Sequence, residues 1–85
     1  MHEYMIVLVR PNGRGKVDAY ITQVERPDMS RRIPMDAFGF QHSIDATTDV
    51  VLGLWDADIE WVQNQPERGV AFGTFKSRRP LEEGL

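Results

Sequence analysis

Apolar residues open the chain at a period of two. Tyr4, Ile6 and Leu8 fall on one side and Met5, Val7 and Val9 on the other, so residues 3–10 read as a strand. Both sides are apolar, which predicts a central strand covered on both faces. Pro11-Asn12-Gly13-Arg14-Gly15 follows. Asn-Gly suits the positive φ angles of a type I′ turn, so a hairpin is expected there. Residues 16–25 read as the return strand, with Val17, Ala19 and Ile21 on one face and Asp18, Tyr20, Thr22 and Val24 on the other. Pro27 and Pro34 bracket a polar stretch that reads as a loop over 26–35. Phe38, Phe40, His42 and Ile44 recur at every second position and predict a third strand over 37–44. After Gly69, the alternation of Val70, Phe72 and Thr74 with Ala71, Gly73 and Phe75 predicts a fourth. Residues 77–85 read as a polar, frayed tail, which leaves 1–76 as the globular part.

A helix is expected over 49–64. Asp45-Ala46-Thr47-Thr48 offers caps, Asp49 suits the positive end of the dipole, and Pro66 forces a stop near Gln65. At ~100° per residue, Asp49, Asp56, Glu60 and Gln63 share one narrow stripe. Val50, Val51, Leu54, Trp55, Ala57, Trp61 and Val62 fill a broad apolar arc opposite, flanked by Leu52 and Ile59. The arc spans ~220°, wider than one sheet face requires. Its edge at Leu52, Trp55 and Ile59 is a candidate self-association surface; flanking loops are the alternative cover. Asp58 lands inside the arc, where a carboxylate needs a partner. The competing reading of Val50-Val51-Leu52-Gly53-Leu54-Trp55 is a buried strand. The predicted fold is α+β, an antiparallel sheet of about four strands with one amphipathic helix, in the chain order β-β-β-α-β. Trp55, Trp61, Phe72, Phe75 and the Ile6–Leu8 strand are expected to dominate its core.

Eighty-five residues allow one small domain. There is no cysteine, which removes disulfides, thiolate metal sites and cysteine nucleophiles and points to a cytoplasmic protein. Met1-His2-Glu3-Tyr4 does not look like the start of a signal peptide. The longest apolar run, Met5 to Val9, is far short of the ~20 residues a spanning helix needs, so no membrane partner is expected.

The net charge of -3 conceals a split. Asp36, Asp45, Asp49, Asp56, Asp58, Glu60 and Glu67 all lie between residues 33 and 67, which holds no Lys or Arg and so carries a formal charge of -7. The remainder, with 10 basic and 6 acidic residues, carries +4. A solvated helix face explains part of this. A like-charged stripe also steers basic partners, including surfaces that otherwise hold nucleic acid. Asp45, Asp49, Asp56, Glu60 and Gln63 are therefore the candidate protein-binding residues, with a basic protein or protein complex as partner.

Arg10, Arg14 and Lys16 cluster at the first hairpin, and two Ser-Arg-Arg loops add Arg31 and Arg32, and Arg78 and Arg79. They form the alternative site, for the backbone of a nucleic acid. Gly13-Arg14-Gly15-Lys16 lacks the spacing and the following helix of a Walker loop. Asp56, Asp58 and Glu60 would share a face on a strand and suit a hard cation, but they diverge on a helix. Trp61 also stands where a calcium loop needs glycine, so no metal site is expected. His42 alternates with apolar neighbours and reads as a partly buried histidine rather than a base. Two histidines and no glycine elbow around any serine argue against an enzyme, and no cofactor is expected.

In size, acidity and lack of catalytic groups the chain resembles small phage-encoded inhibitors of bacterial machinery, with no motif behind the likeness. The expected function is a small non-catalytic protein-binding domain of that inhibitor type, monomeric or homodimeric. The alternative is a nucleic-acid-binding accessory protein.

Overall fold

Residues 1–10, 16–34 and 39–81 are described by the computed structural model. Strand β1 (His2–Val9) forms where the alternation predicts it, and β2 (Asp18–Gln23) returns beside it with Val9 opposite Asp18. The Asn-Gly turn expected at residues 11–15 falls outside the described residues. A two-residue strand β3 (Arg32–Ile33) pairs with the outer edge of β2, inside the segment expected as a loop. Helix α1 (Phe40–Trp55) comes next, then β4 (Glu60–Gln65), one 3₁₀ turn (Pro66–Arg68) and β5 (Val70–Ser77). Every neighbouring pair is antiparallel, and the sheet order is β3-β2-β1-β5-β4. The architecture is thus α+β with one helix on an antiparallel sheet, as expected, with five strands rather than about four.

The helix lies nine residues earlier than the pattern predicted at its start, so two expected elements change identity. Phe40 to Ile44 are its first turn, not part of a third strand; residues 37 and 38 lie outside the described residues. Phe40, Ser43, Ile44, Thr47, Val51 and Trp55 are its buried side, at helical spacing. Ser43 and Thr47 are fully buried yet polar, and so broke the apolar signal. The Ser43 hydroxyl donates to the Gly39 carbonyl at 2.8 Å, which offsets its burial. Gly39 itself holds φ 85°, a conformation that favours glycine, at the point where the chain enters the helix. His42 is exposed on the helix rather than partly buried in a strand.

The helix ends at Asp56, which adopts the left-handed conformation (φ 53°) and donates its backbone N–H to the Leu52 carbonyl. Beyond it, residues 60–65 are strand, not helix. Asp58 is exposed and needs no buried partner. Trp61 faces the helix side, where its Nε1–H donates to Thr48 Oγ1 at 3.3 Å. Gly73 lies opposite Trp61, and a Cβ there would stand 2.5 Å from Ile59 Cγ2. Only a glycine lets Ile59 and β4 close over β5 at this point.

The core lies between the helix and one sheet face. Tyr4, Ile6, Leu8, Val17, Ala19, Ile21, Val51, Trp55, Ala71 and Phe75 make its centre. Tyr4, Trp55 and Phe75 form an aromatic cluster with centroids 5.1 to 6.3 Å apart. Phe72, expected in this core, lies on the opposite face, and Trp61 packs at its margin.

Of the expected tail, residues 77–81 are packed rather than frayed, and 82–85 lie outside the described residues. Ser77 and Leu81 are buried. The Tyr4 hydroxyl donates to the Arg79 carbonyl at 2.8 Å, and Trp55 Nε1–H donates to the Pro80 carbonyl at 3.4 Å. Ser77 Oγ donates to the last helical carbonyl, that of Trp55, and the Arg79 guanidinium donates to those of Gly53 and Leu54. The segment thus caps the helix and satisfies the polar atoms of two buried aromatics.

Candidate binding surface

The helix covers one face of the sheet. Tyr4, Ile6 and Leu8 point to it and are fully buried, whereas Met5, Val7 and Val9 on the other side of β1 are partly exposed. The expectation that β1 is covered on both faces is therefore wrong for the described residues. An apolar run marks a central strand here because β1 lies between β2 and β5, while among the described residues no second layer covers it.

The registers place the uncovered side chains in rows across the strands. One row runs Arg32, Tyr20, Val7, Phe72, Gln63, from β3 through β2, β1 and β5 to β4. The next row toward the end carrying Gly69 holds Asp18, Val9 and Val70. On the other side stand Thr22, Met5, Thr74 and Glu60, then Glu3 and Lys76. The centre is apolar and aromatic, and the margin is polar. Arg32 is ion-paired with Asp18 and lies 5.8 Å from the centroid of the Tyr20 ring. Lys76 and Glu3 are 3.9 Å apart. Thr22 is buried because the β2–β3 connection folds over that corner, with the Asp28 backbone N–H donating to its hydroxyl.

The predicted acidic stripe does not form one helical face. Asp45 and Asp49 are exposed on α1, one turn apart, and Gln41 donates to Asp45. Asp56 caps the helix, and Glu60 and Gln63 belong to β4. Their common stripe existed only in a projection carried through Asp56, where the backbone leaves the helical path. Among the described residues, neither ion pair involves these acids. The self-association edge is likewise divided. Leu52 is half exposed, Ile59 packs against the core, and Trp55 is buried and unavailable.

The basic residues separate as well. Arg10 turns to the helix side, with its guanidinium 5.5 Å from the Phe40 centroid. Arg14 lies outside the described residues, and Lys16 is exposed before β2. Arg31 sits in the β2–β3 connection, where its carbonyl accepts from the Ile21 N–H. Arg32 is on the uncovered sheet face. Arg79 is engaged at the helix end.

Among the described residues, no group of three or more His, Asp or Glu side chains is placed to hold a metal ion. Their helix is not long and apolar enough to cross a membrane. Comparisons of the chain with protein-family models, with curated proteins and with solved structures return no match. The sheet face missed by the sequence reading did leave a trace. Met5, Val7 and Val9 alternate as cleanly as the core residues between them, and Val70 and Phe72 repeat the pattern in β5.

Proposed function

We propose that this chain is a small non-catalytic protein-binding domain and that the uncovered sheet face is its binding surface. One observation carries the reading: Met5, Val7, Val9, Tyr20, Val70 and Phe72 stand together on a face that the helix does not cover. An apolar centre with aromatic anchors and a polar margin is the arrangement of protein interfaces. Such a patch on a small domain marks a contact site. Occlusion of another protein's surface, and so inhibition, needs no further chemistry.

The charge on the face favours a protein over a nucleic acid. Its charged side chains are Glu3, Asp18, Arg32, Glu60 and Lys76, with more negative than positive groups, and both cations already have acidic neighbours. Binding to a phosphate backbone needs a cationic surface. A second reading keeps a basic protein as partner and moves the contact to the helix–β4 half, on the ground that Asp45, Asp49, Asp56, Asp58 and Glu60 are all exposed.

Affinity capture from native lysate, with and without nuclease, separates these. The expected result is protein recovery that resists nuclease, is lost with Phe72→Ser and persists with Asp45→Lys/Asp49→Lys. Capture that survives Phe72→Ser and fails with the helix charge reversal overturns the sheet-face reading in favour of the acidic half. Recovery of nucleic acid overturns both.

A further inference from the structure

The five-stranded sheet has two edges, and they are unlike. One is β3, which is two residues long, follows Arg31 and is followed by Pro34. Its Arg32 is ion-paired with Asp18. A short, charged strand stopped by proline closes an edge against further pairing. The other is β4, which is six residues long, so about 20 Å of backbone, and none of its residues is Lys, Arg or Pro. Among the described residues it pairs with β5 alone. The alternate N–H and C=O groups on its far side therefore meet no further strand. The register shift between Trp61 and Gln63 bends this edge and leaves Val62, more than half exposed, opposite no residue of β5. On either side of Val62 the register is regular, with Glu60 and Trp61 opposite Thr74 and Gly73, and Gln63 to Gln65 opposite Phe72 to Val70.

β4 is also held in place from behind. Trp61 Nε1–H donates to Thr48 on the helix, and Gly73 admits Ile59 against β5. An edge fixed in this way has little ordering left to lose on binding. Its charge is one-sided. Residues 56–65 hold Asp56, Asp58 and Glu60, all exposed, and no base. Among the described residues, none of the three is in an ion pair. A row of backbone donors and acceptors selects an extended segment, and carboxylates beside that row select a cationic one. We infer that the outer edge of β4 is a strand-docking site, and that its occupant is an extended segment of another protein carrying Lys or Arg opposite Glu60. The added strand extends the sheet beyond β4, and its backbone supplies most of the contact. The site is separate from the uncovered sheet face and does not rest on that face binding anything.

The test is selection from a randomised peptide library against the purified chain, followed by titration of one selected peptide. The selected sequences are expected to carry Lys or Arg among β-branched residues, and the peptide to shift the amide resonances of residues 60–65. Backbone N-methylation of the peptide separates strand pairing from side-chain docking. Methylation of one alternate set of its amides is expected to abolish binding, and methylation of the other set to leave it intact. Glu60→Lys is expected to weaken binding about tenfold at low ionic strength. If that chain does not fold, Asp58→Lys replaces it. Tyr20→Ser alters the uncovered face three strands away from β4 and is expected to change nothing. A library that yields no binder, or a binder that tolerates N-methylation of both sets, overturns the proposal. A binder lost with Tyr20→Ser also overturns it, and supports the sheet-face reading instead. A wild-type dimer whose Val62→Cys variant cross-links across the pair overturns it too, because a second copy then holds the edge.

Discussion

Truncation after Arg78 tests the claim that the segment following β5 is a structural strap. It removes the carbonyls of Arg79 and Pro80, which accept from Tyr4 Oη and Trp55 Nε1, and it removes the buried Leu81. Leaving a buried donor without its acceptor costs about 1–3 kcal/mol, and the Trp55 bond at 3.4 Å sits at the low end of that range. Loss of the Leu81 side chain from its site adds about 1.5–3 kcal/mol. The Arg79 guanidinium bonds to the Gly53 and Leu54 carbonyls are exposed and add little. The total is roughly 3.5–7 kcal/mol, against a whole-domain stability on the order of 4–13 kcal/mol for a chain of this length. The truncated chain is therefore expected to lose half or more of a mid-range stability, whereas truncation after Leu81 retains all these contacts and folds. Urea titration followed by tryptophan emission and far-UV dichroism reads both. If truncation after Arg78 costs less than about 1.5 kcal/mol, the strap does not hold the aromatic cluster and the reasoning fails.

Gly73 and Gly53 give opposite expectations under the same urea titration. Gly73→Ala drives a methyl into Ile59 and the Glu60 carbonyl and is expected to destabilise by about 1–3 kcal/mol. Adding Ile59→Ala relieves only the first of those contacts and restores part of the loss. Gly53→Ala meets nothing within 4 Å on an exposed part of the helix and is expected to stabilise by about 0.5–1 kcal/mol. Asp56→Gly should also stabilise, by up to about 1 kcal/mol, because it relieves left-handed strain and removes a negative charge from the helix C-terminus. A lowered urea midpoint for Asp56→Gly would mean that its carboxylate has a role the backbone geometry does not reveal.

Strands β1, β2 and β5 were legible because each alternates cleanly over at least six residues, and the α+β class followed from them. The helix was misplaced for two local reasons. Its first half hides its apolar side behind Ser43 and Thr47, while Phe38, Phe40, His42 and Ile44 mimic a strand, although Phe40 and Ile44 are also one helical turn apart. Its C-terminus lacks the usual glycine. Asp56 takes the left-handed conformation instead, and a helical projection runs past it unchecked. β4 was missed because the register shift between Trp61 and Gln63 breaks the period of two. β3 is too short to carry any pattern. The sheet-face surface follows from the same difficulty. Two apolar sides of a strand mean two contacts, and a sequence does not say whether the second contact is within the chain or with another molecule.

The pairing of β1 with β5 bears on how the chain is made. β1 emerges first and can pair early with β2, its neighbour along the sequence. Its other edge waits for β5, and the Tyr4 hydroxyl waits for a carbonyl 75 positions later. Through most of translation, the strand that becomes the middle of the sheet has one edge bare and no aromatic cluster to bury Tyr4. Such an edge invites pairing between neighbouring nascent chains. Folding of this domain is thus a closing step taken after β5 has left the ribosome, rather than a progressive one.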